Sequence, residues 1–542
     1  MATVGRTAAR AVAHQGRRAD DVAVTTAAAS PSWSVDRRFG FVSFLVAVAI
    51  AGLGWWLSTF HELGGYGVEV DFYYQFHPAA QDILAGRPVA NPRSGPGYPL
   101  LLAAGSYLTP DLFEFGKWVA VAAVALSGWF TFLCVRAFAS AGTALVAQAL
   151  LYATLFRYSV VVSNDMVFVA LATASLAFAL RSQAPGVLGL VCGGLLAGLA
   201  MTVRYPGIAL IAALAGWVVL WPVAGTAWSR RARNLALFLV PALLGSAPSW
   251  AATQLGLSDK KESKTYALVA ADCYGTPTER LSPVHIAKME TEFSSMWEVF
   301  TRDKSRVARF YAQDYYDDAL LILKDSVTLP AFLFAGAGLL LWFAGGWADR
   351  RRAFTFLTFP VLIYGIVALV PYQARYGYPL VPATAALVAA ALVHRWGADG
   401  GTEETSLARR VRLLCAIAVF FVPLAMSAWK TREYLTSEPV ELFAAADALK
   451  PIAKPGDRLI ARKPNLNYLA SLPNEFPKVD VDLEAFLKWA KEEANARFLL
   501  VGEWEVYTNS ALAPLQRGEA PTGASIVWRH EPTRQVLYDL GQ

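Results

Sequence analysis

Long apolar windows recur along this chain, and arginines gather on every second connection between them. That alternation leaves few folds open. A run of apolar residues long enough to cross ~30 Å of hydrocarbon must hydrogen-bond its own backbone there, so it becomes a helix. Such windows fall near residues 40–60, 117–135, 142–158, 164–180, 186–203, 205–224, 235–256, 326–347, 353–372, 376–393 and 411–429. Hydrophobic residues make up 55% of the chain and charged residues only 17%, a balance that excludes a single soluble globule. The expected fold class is a polytopic α-helical membrane protein of about eleven transmembrane helices.

Basic residues accumulate in cytoplasmic loops. Arg136, Arg181, Arg230-Arg231-Arg233, Arg350-Arg351-Arg352 and Arg409-Arg410-Arg412 lie on alternate connections, and the N-terminal tail carries Arg6, Arg10, Arg17, Arg18, Arg37 and Arg38. An odd span count puts them all inside. The expected location is the cell (inner or plasma) membrane, multi-pass, with the N-terminus cytoplasmic and the C-terminal domain extracytoplasmic. The net charge of +6 is then a topology signal, and no nucleic-acid partner is implied. Residues 1–38 read as a disordered cytoplasmic tail without a cleavable signal peptide. Cys134, Cys192 and Cys415 fall in or beside spans and Cys273 in an outer loop, a pattern unlike a disulfide framework.

The membrane domain is expected over 39–429, with outer loops at 61–116 and 257–325. The second loop ends in the helix-like stretch Arg306–Leu323, and Tyr98–Leu108 reads as an interfacial helix or part of a span. From 430 to 542 the period changes. Arg458–Ala461, Arg497–Val501, Ser525–Trp528 and Gln535–Tyr538 read as strands, and Asp482–Ala496 as an amphipathic helix, together a small α/β domain. There is no glycine-rich phosphate loop. Nor are there paired broken helices in two related halves, which counts against an ordinary secondary transporter.

Directly after the first span stands Asp71-Phe-Tyr-Tyr-Gln-Phe-His77, followed by Ala80, Leu84-Ala-Gly86 and Gly95-Pro-Gly-Tyr-Pro99. Read alone, Asp71 is an interfacial charge beside anchoring tyrosines. Ser163-Asn164-Asp165 opens the fourth span on the same side, so two carboxylates from separate segments can converge, one taking a proton from a hydroxyl while the other orients it. Helix capping is the plainer role for Asp165. Arg204, in Thr202-Val-Arg-Tyr-Pro206, and Arg375, in Arg375-Tyr-Gly-Tyr-Pro379, sit on the outer side against the charge bias. Planar guanidinium groups bind phosphate with two bonds at once. Snorkelling to lipid headgroups is the alternative. No His/Asp cluster has metal-ligand spacing, and no metal or other cofactor is expected.

In order and sidedness these motifs resemble the GT-C superfamily of membrane glycosyltransferases. The nearest branch is the protein mannosyltransferase and aminoarabinose transferase type. The matching positions are Asp71, Tyr73-Tyr74, Ala80, Leu84, Gly86 and Tyr98-Pro99, then Asn164-Asp165, Gly194–Arg204-Tyr-Pro206, and Arg375-Tyr376 with Pro379 and Pro382. The resemblance implies an inverting hexosyl or pentosyl transferase of the cell envelope. It would take its sugar from a polyprenyl-phosphate donor and pass it to a lipid, glycan or protein acceptor. Asp71 and Asp165 take the family's acidic positions, with Asp71 as general base. Tyr74, His77, Arg93, Tyr98, Arg204, Arg375 and Tyr376 are the expected substrate-binding residues. Phe72 stands where some mannosyltransferases carry a second acid, and Arg93 lies near the place of the aminoarabinose transferases' lysine. Two other readings use the same features: a non-enzymatic carrier or flippase of lipid-linked sugars, and a scaffold whose tail recruits envelope partners.

Overall fold

The computed structural model describes residues 37–67, 69–87, 95–181, 186–220, 227–254, 265–276, 283–322, 328–344, 349–367, 374–393, 406–479 and 481–541. Arg93, residues 1–36 and parts of both outer loops lie outside the described residues. The chain forms two compact units: Met1–Val46, described only from the first turns of its helix, and Ala47–Gln542, which holds the rest.

Among the described residues, eleven helices coincide with the eleven apolar windows. They are α1 (Arg37–Ser58), α2 (Leu112–Arg136), α3 (Ala141–Leu155), α4 (Asn164–Leu180), α5 (Val187–Val203), α6 (Ile208–Leu220), α7 (Trp228–Gln254), α8 (Leu329–Ala344), α9 (Arg350–Val367), α10 (Val381–Val393) and α11 (Ser406–Thr436). Among the described residues, four stretches are long and apolar enough to cross a membrane by length and composition: Arg38–Ser58, Leu112–Arg136, Arg375–Val393 and Leu413–Leu449. Asn164–Leu180, Val187–Val203, Tyr205–Leu220 and Ala331–Phe343 are shorter and also apolar.

Local chemistry sets several boundaries. Asp111 caps α2 by accepting from the backbone N–H groups of Phe113 and Glu114, and Ser140 caps α3 through Thr143. Glycines set a close helix contact. A Cβ on Gly194 or Gly198 of α5 would lie 2.1 Å from the carbonyl oxygen of Phe238 or Ala242 on α7. The two backbones therefore touch, as small-residue interfaces allow.

The 61–116 segment contains a π-helix (Phe72–Phe76) continuing into a helix (His77–Leu84), and a second helix (Gly97–Gly105) that answers the Tyr98–Leu108 expectation. Among the described residues of 257–325 there are four helices, Thr265–Tyr274, Pro283–Glu292, Met296–Arg302 and Lys304–Ile322, of which sequence periodicity anticipates only the last. They enclose a small core of their own around Ala270, Phe293 and Val299.

The C-terminal region carries a five-stranded mixed sheet: β1 (Leu459–Ile460), β2 (Asn474–Glu475), β3 (Phe498–Val501), β4 (Ser525–His530) and β5 (Gln535–Asp539). Its order is β2-β1-β3-β5-β4. The β1 strand runs parallel to β2 and β3, and β5 runs antiparallel to β3 and β4. The expected strands are present, and the two-residue, polar β2 is an addition that periodicity cannot reveal. The amphipathic helix is shorter than expected, Leu483–Glu492, because the chain turns through a left-handed Asn495 before β3. Alternation along β3 and β5 sends side chains both ways. Leu499, Val501, Val536 and Tyr538 meet Phe486 of that helix. Phe498, Leu500 and Leu537 join the core that continues through the first outer segment into the apolar helices. One face of the sheet is thus built into the same packing that holds Asp71.

Candidate active site

Phe72, Tyr73 and Phe76 of the π-helix are buried, and they anchor the segment against Phe113, Tyr468 and Tyr98. Asp71 precedes them and stays partly open, its side chain 18% exposed. Single π-turns recur where a helix must aim a side chain at a site. Gln75 Nε2 donates to Asp71 Oδ1 at 3.2 Å, and Arg375 Nη1 donates to Asp71 Oδ2 at 2.5 Å.

Arg375 stands at the start of a 3-10 segment, Ala374–Leu380, which leads into α10. Arg204 ends α5 in an extended conformation, so the chain leaves the helix there and turns through Tyr205–Gly207. The turn is tight. A Cβ on Gly207 would lie 2.6 Å from the Met201 nitrogen, and Cβ atoms on Gly95 or Gly97 would collide with Thr202. The Gly95-Pro-Gly97 motif thus lets the first outer segment rest on the end of α5, two residues before Arg204.

Arg204 Nη1 donates to Asp165 Oδ1. Asp165 is 1% exposed, while the Arg204 and Arg375 side chains each keep 16% exposure. The Tyr376 ring lies 5.0 Å from the Arg204 guanidinium carbon and 5.8 Å from that of Arg375. A single cluster results: Asp71, Arg375, Tyr376, Arg204, Asp165. Two partly exposed cations flank one aromatic ring, and each is paired with a carboxylate. Asp165 does not cap α4 through its side chain; it grips Arg204. Its Oδ2 and the Nε of Arg375 are buried with no hydrogen-bond partner.

The other expected residues spread out. Tyr74 packs edge-on against Phe476, 4.8 Å between centroids, and His77 against Tyr468, also 4.8 Å. Burial lowers the His77 pKa to about 4 against the pull of Asp111, so its ring is neutral at pH 7. Tyr98 is fully buried against Phe76; it has no face open to a ligand and serves the core. Arg93 is not among the described residues.

Sequence reasoning missed what holds Asp71 in place. His61 lies between two carboxylates, Nε2 2.8 Å from Glu69 and Nδ1 2.5 Å from Glu438. Glu69 also accepts from the N–H groups of Val162, at 2.7 Å, and Gly65, at 2.9 Å. Glu438 accepts from Glu62 and Leu63, and Lys117 donates to the His61 carbonyl. Burial works against the imidazolium, but Glu69 and Glu438 outweigh it and raise the His61 pKa to about 10. This knot ties the segment before Asp71 to the approach to Asp165 and to the start of the C-terminal region. A histidine just past the first span, with an acid two residues before Asp71, was the only signal available. Among the described residues no group of three or more His, Cys, Asp or Glu side chains could hold a metal ion.

No protein-family model matches the chain, and no curated protein does. Solved structures do. ArnT from Cupriavidus metallidurans bound to undecaprenyl phosphate superimposes with a TM-score of 0.60, 17% identity, and coverage of 92% of this chain and 98% of that one. The apo oligosaccharyltransferase of Archaeoglobus fulgidus gives 0.56, 12% identity, and 89% and 72% coverage. AglB from the same organism, in complex with an inhibitory peptide and a dolichol-phosphate, gives 0.54, 12% identity, and 94% and 75% coverage. At these identities the likeness is one of fold: over about nine-tenths of its length the chain is built like the GT-C membrane glycosyltransferases ArnT and AglB.

Proposed function

We propose that this protein is a multi-pass membrane glycosyltransferase that moves a sugar from a polyprenyl-phosphate donor to an extracytoplasmic acceptor with inversion. The observation that carries it is the Asp71–Arg375–Tyr376–Arg204–Asp165 cluster, set in the fold of an enzyme solved with undecaprenyl phosphate. Residues 39–429 form the membrane domain, crossing eleven times, and 430–542 an extracytoplasmic domain. Sugar nucleotides are absent on that side, so an activated sugar has to arrive on a lipid.

The donor phosphate docks against the open edges of Arg204 and Arg375, the geometry that guanidinium groups favour for phosphate. Arg375 is shared: its bond to Asp71 and its bond to phosphate compete. Docking therefore draws Arg375 from Asp71 Oδ2 and leaves that oxygen for an acceptor hydroxyl. Asp71 takes the hydroxyl proton as the acceptor oxygen bonds to the anomeric carbon. The bond from that carbon to the phosphate oxygen breaks on the opposite face, and its electron pair leaves with the lipid phosphate. The two arginines stabilise the departing charge, worth a few kcal/mol where donors are preorganised. Asp165 keeps Arg204 in place.

The test is transfer by purified protein from polyprenyl-phosphate sugars. Asp71→Asn keeps the shape but takes no proton at neutral pH. It should bind donor and transfer about a hundredfold more slowly or worse. Undiminished transfer by this variant would remove Asp71 as the base.

A further inference from the structure

The C-terminal region lines a half-open cavity of about 500 Å³, within the ~300–1,000 Å³ usual for small-molecule sites. It opens beyond the ends of the parallel strands: Lys463 follows β1, Gly502 and Trp504 follow β3, and Gln535 begins the antiparallel β5. In open α/β sheets ligands bind in the crevice outside the carboxyl ends of the strands. Tyr66 of the first outer segment closes one wall.

The lining is polar and carries one unmet valence. Gln535 is 8% exposed. Its Nε2 donates to Tyr66 Oη at 3.3 Å and to Glu441 Oε1 at 3.2 Å, while Oε1 is buried without a hydrogen-bond partner. A buried amide oxygen left unsatisfied is destabilising, so a ligand donor there would be favoured. Gly502 admits this side chain, since a Cβ there would come within 3.1 Å of Gln535. Trp504 is 42% exposed, with Lys463 Nζ 4.3 Å from its ring centroid. Lys463 also donates to the Tyr66 carbonyl at 3.0 Å.

We infer that this cavity is a saccharide-binding subsite that holds a sugar ring of a glycan acceptor. The chemistry fits a polyhydroxylated ring better than an ion or a lipid tail. Three carboxylates (Glu441, Glu503, Glu505) stand against two cations (Lys463, Arg534), so neither charge sign dominates. Glu505 is already engaged by the N–H groups of Arg462 and Gly502. What remains are donors and acceptors at close spacing and an indole face, matching the hydroxyls and the C–H face of a sugar. The cavity is also joined to the reaction centre. Arg462, next to Lys463, rests on Phe476, and Phe476 packs on Tyr74, three residues after Asp71. A glycan anchored here can thus lead its next hydroxyl toward Asp71. The role as acceptor subsite rests on the transferase reading.

The test uses the full chain in detergent on an array of bacterial envelope oligosaccharides, with short peptides printed alongside. The wild type should retain one or more glycans and no peptide. For the best glycan, Trp504→Ala and Gln535→Leu should each weaken binding about tenfold, as loss of a ring contact or a buried polar contact does. Undecaprenyl phosphate binding and the melting temperature should be unchanged. Trp504 lies at the surface, so that variant still reports if Gln535→Leu unfolds. No glycan retained, peptides retained instead, or both folded variants binding as tightly as wild type would each overturn the proposal. Asp71→Asn should still bind the glycan. Glycan binding by a wild type that transfers nothing to it would uphold the site and count against the transferase reading.

Discussion

The buried His61 knot makes a quantitative claim about stability and pH. The imidazole is 1% exposed between Glu69 and Glu438, and its pKa rises from 6.5 to about 10. At ~1.4 kcal/mol per pH unit, that rise is worth roughly 5 kcal/mol to the folded state. The raised folded-state value sets the sign. Below pH 6.5 folded and unfolded chains are both protonated and the contribution is complete; it is lost as pH climbs from 6.5 through about 10. His61→Gln removes the charge and leaves two buried carboxylates facing each other, a change of about 3–5 kcal/mol. Thermal unfolding of the detergent-purified protein, followed by tryptophan fluorescence from pH 6 to about 10, reads both effects. Wild type should lose stability across that range, and the variant should start lower and lack this slope. Lys463 slopes the other way: burial lowers its pKa from 10.5 to about 8, a penalty relieved between those values. The difference between wild type and variant therefore isolates His61. Parallel curves, or equal stability at pH 7, would refute the reasoning.

Three further outcomes follow from the same geometry. Arg204→Gln and Arg375→Gln should each weaken binding of undecaprenyl phosphate, with Lys restoring it only in part because it lacks the planar fork; titration of the purified variants measures this, and unchanged affinity in the double Gln variant would take both from the site. Asp165→Asn, made at the buried partner of Arg204, should raise the apparent donor constant while acceptor binding stays unchanged; equal effects on both would argue for a general loss of structure. A reporter active only in the cytoplasm, fused after Gln542, should be silent, and strong activity would overturn the odd span count.

The long apolar helices and most of the strands were legible in the sequence. All eleven windows became helices because hydrophobic pattern and chain polarity act within one segment, and a helix satisfies its own backbone wherever it is placed. Four of the five strands were legible as short apolar runs for the same local reason. Asp71, Arg204 and Arg375 were legible as charges out of place in an apolar chain, and Tyr376 through the family resemblance. Partners were not legible. Arg375 lies 304 residues from Asp71 and Glu438 lies 377 from His61, and no local pattern encodes a meeting over that distance. The packed chain supplied Arg204 as the partner of Asp165 and put Tyr98 into the core. It also set Gln535 beside Tyr66, closing a polar cavity between segments that read separately as a loop and a strand. Burial and ion pairing belong to the packed chain, where desolvation makes each charge depend on what faces it.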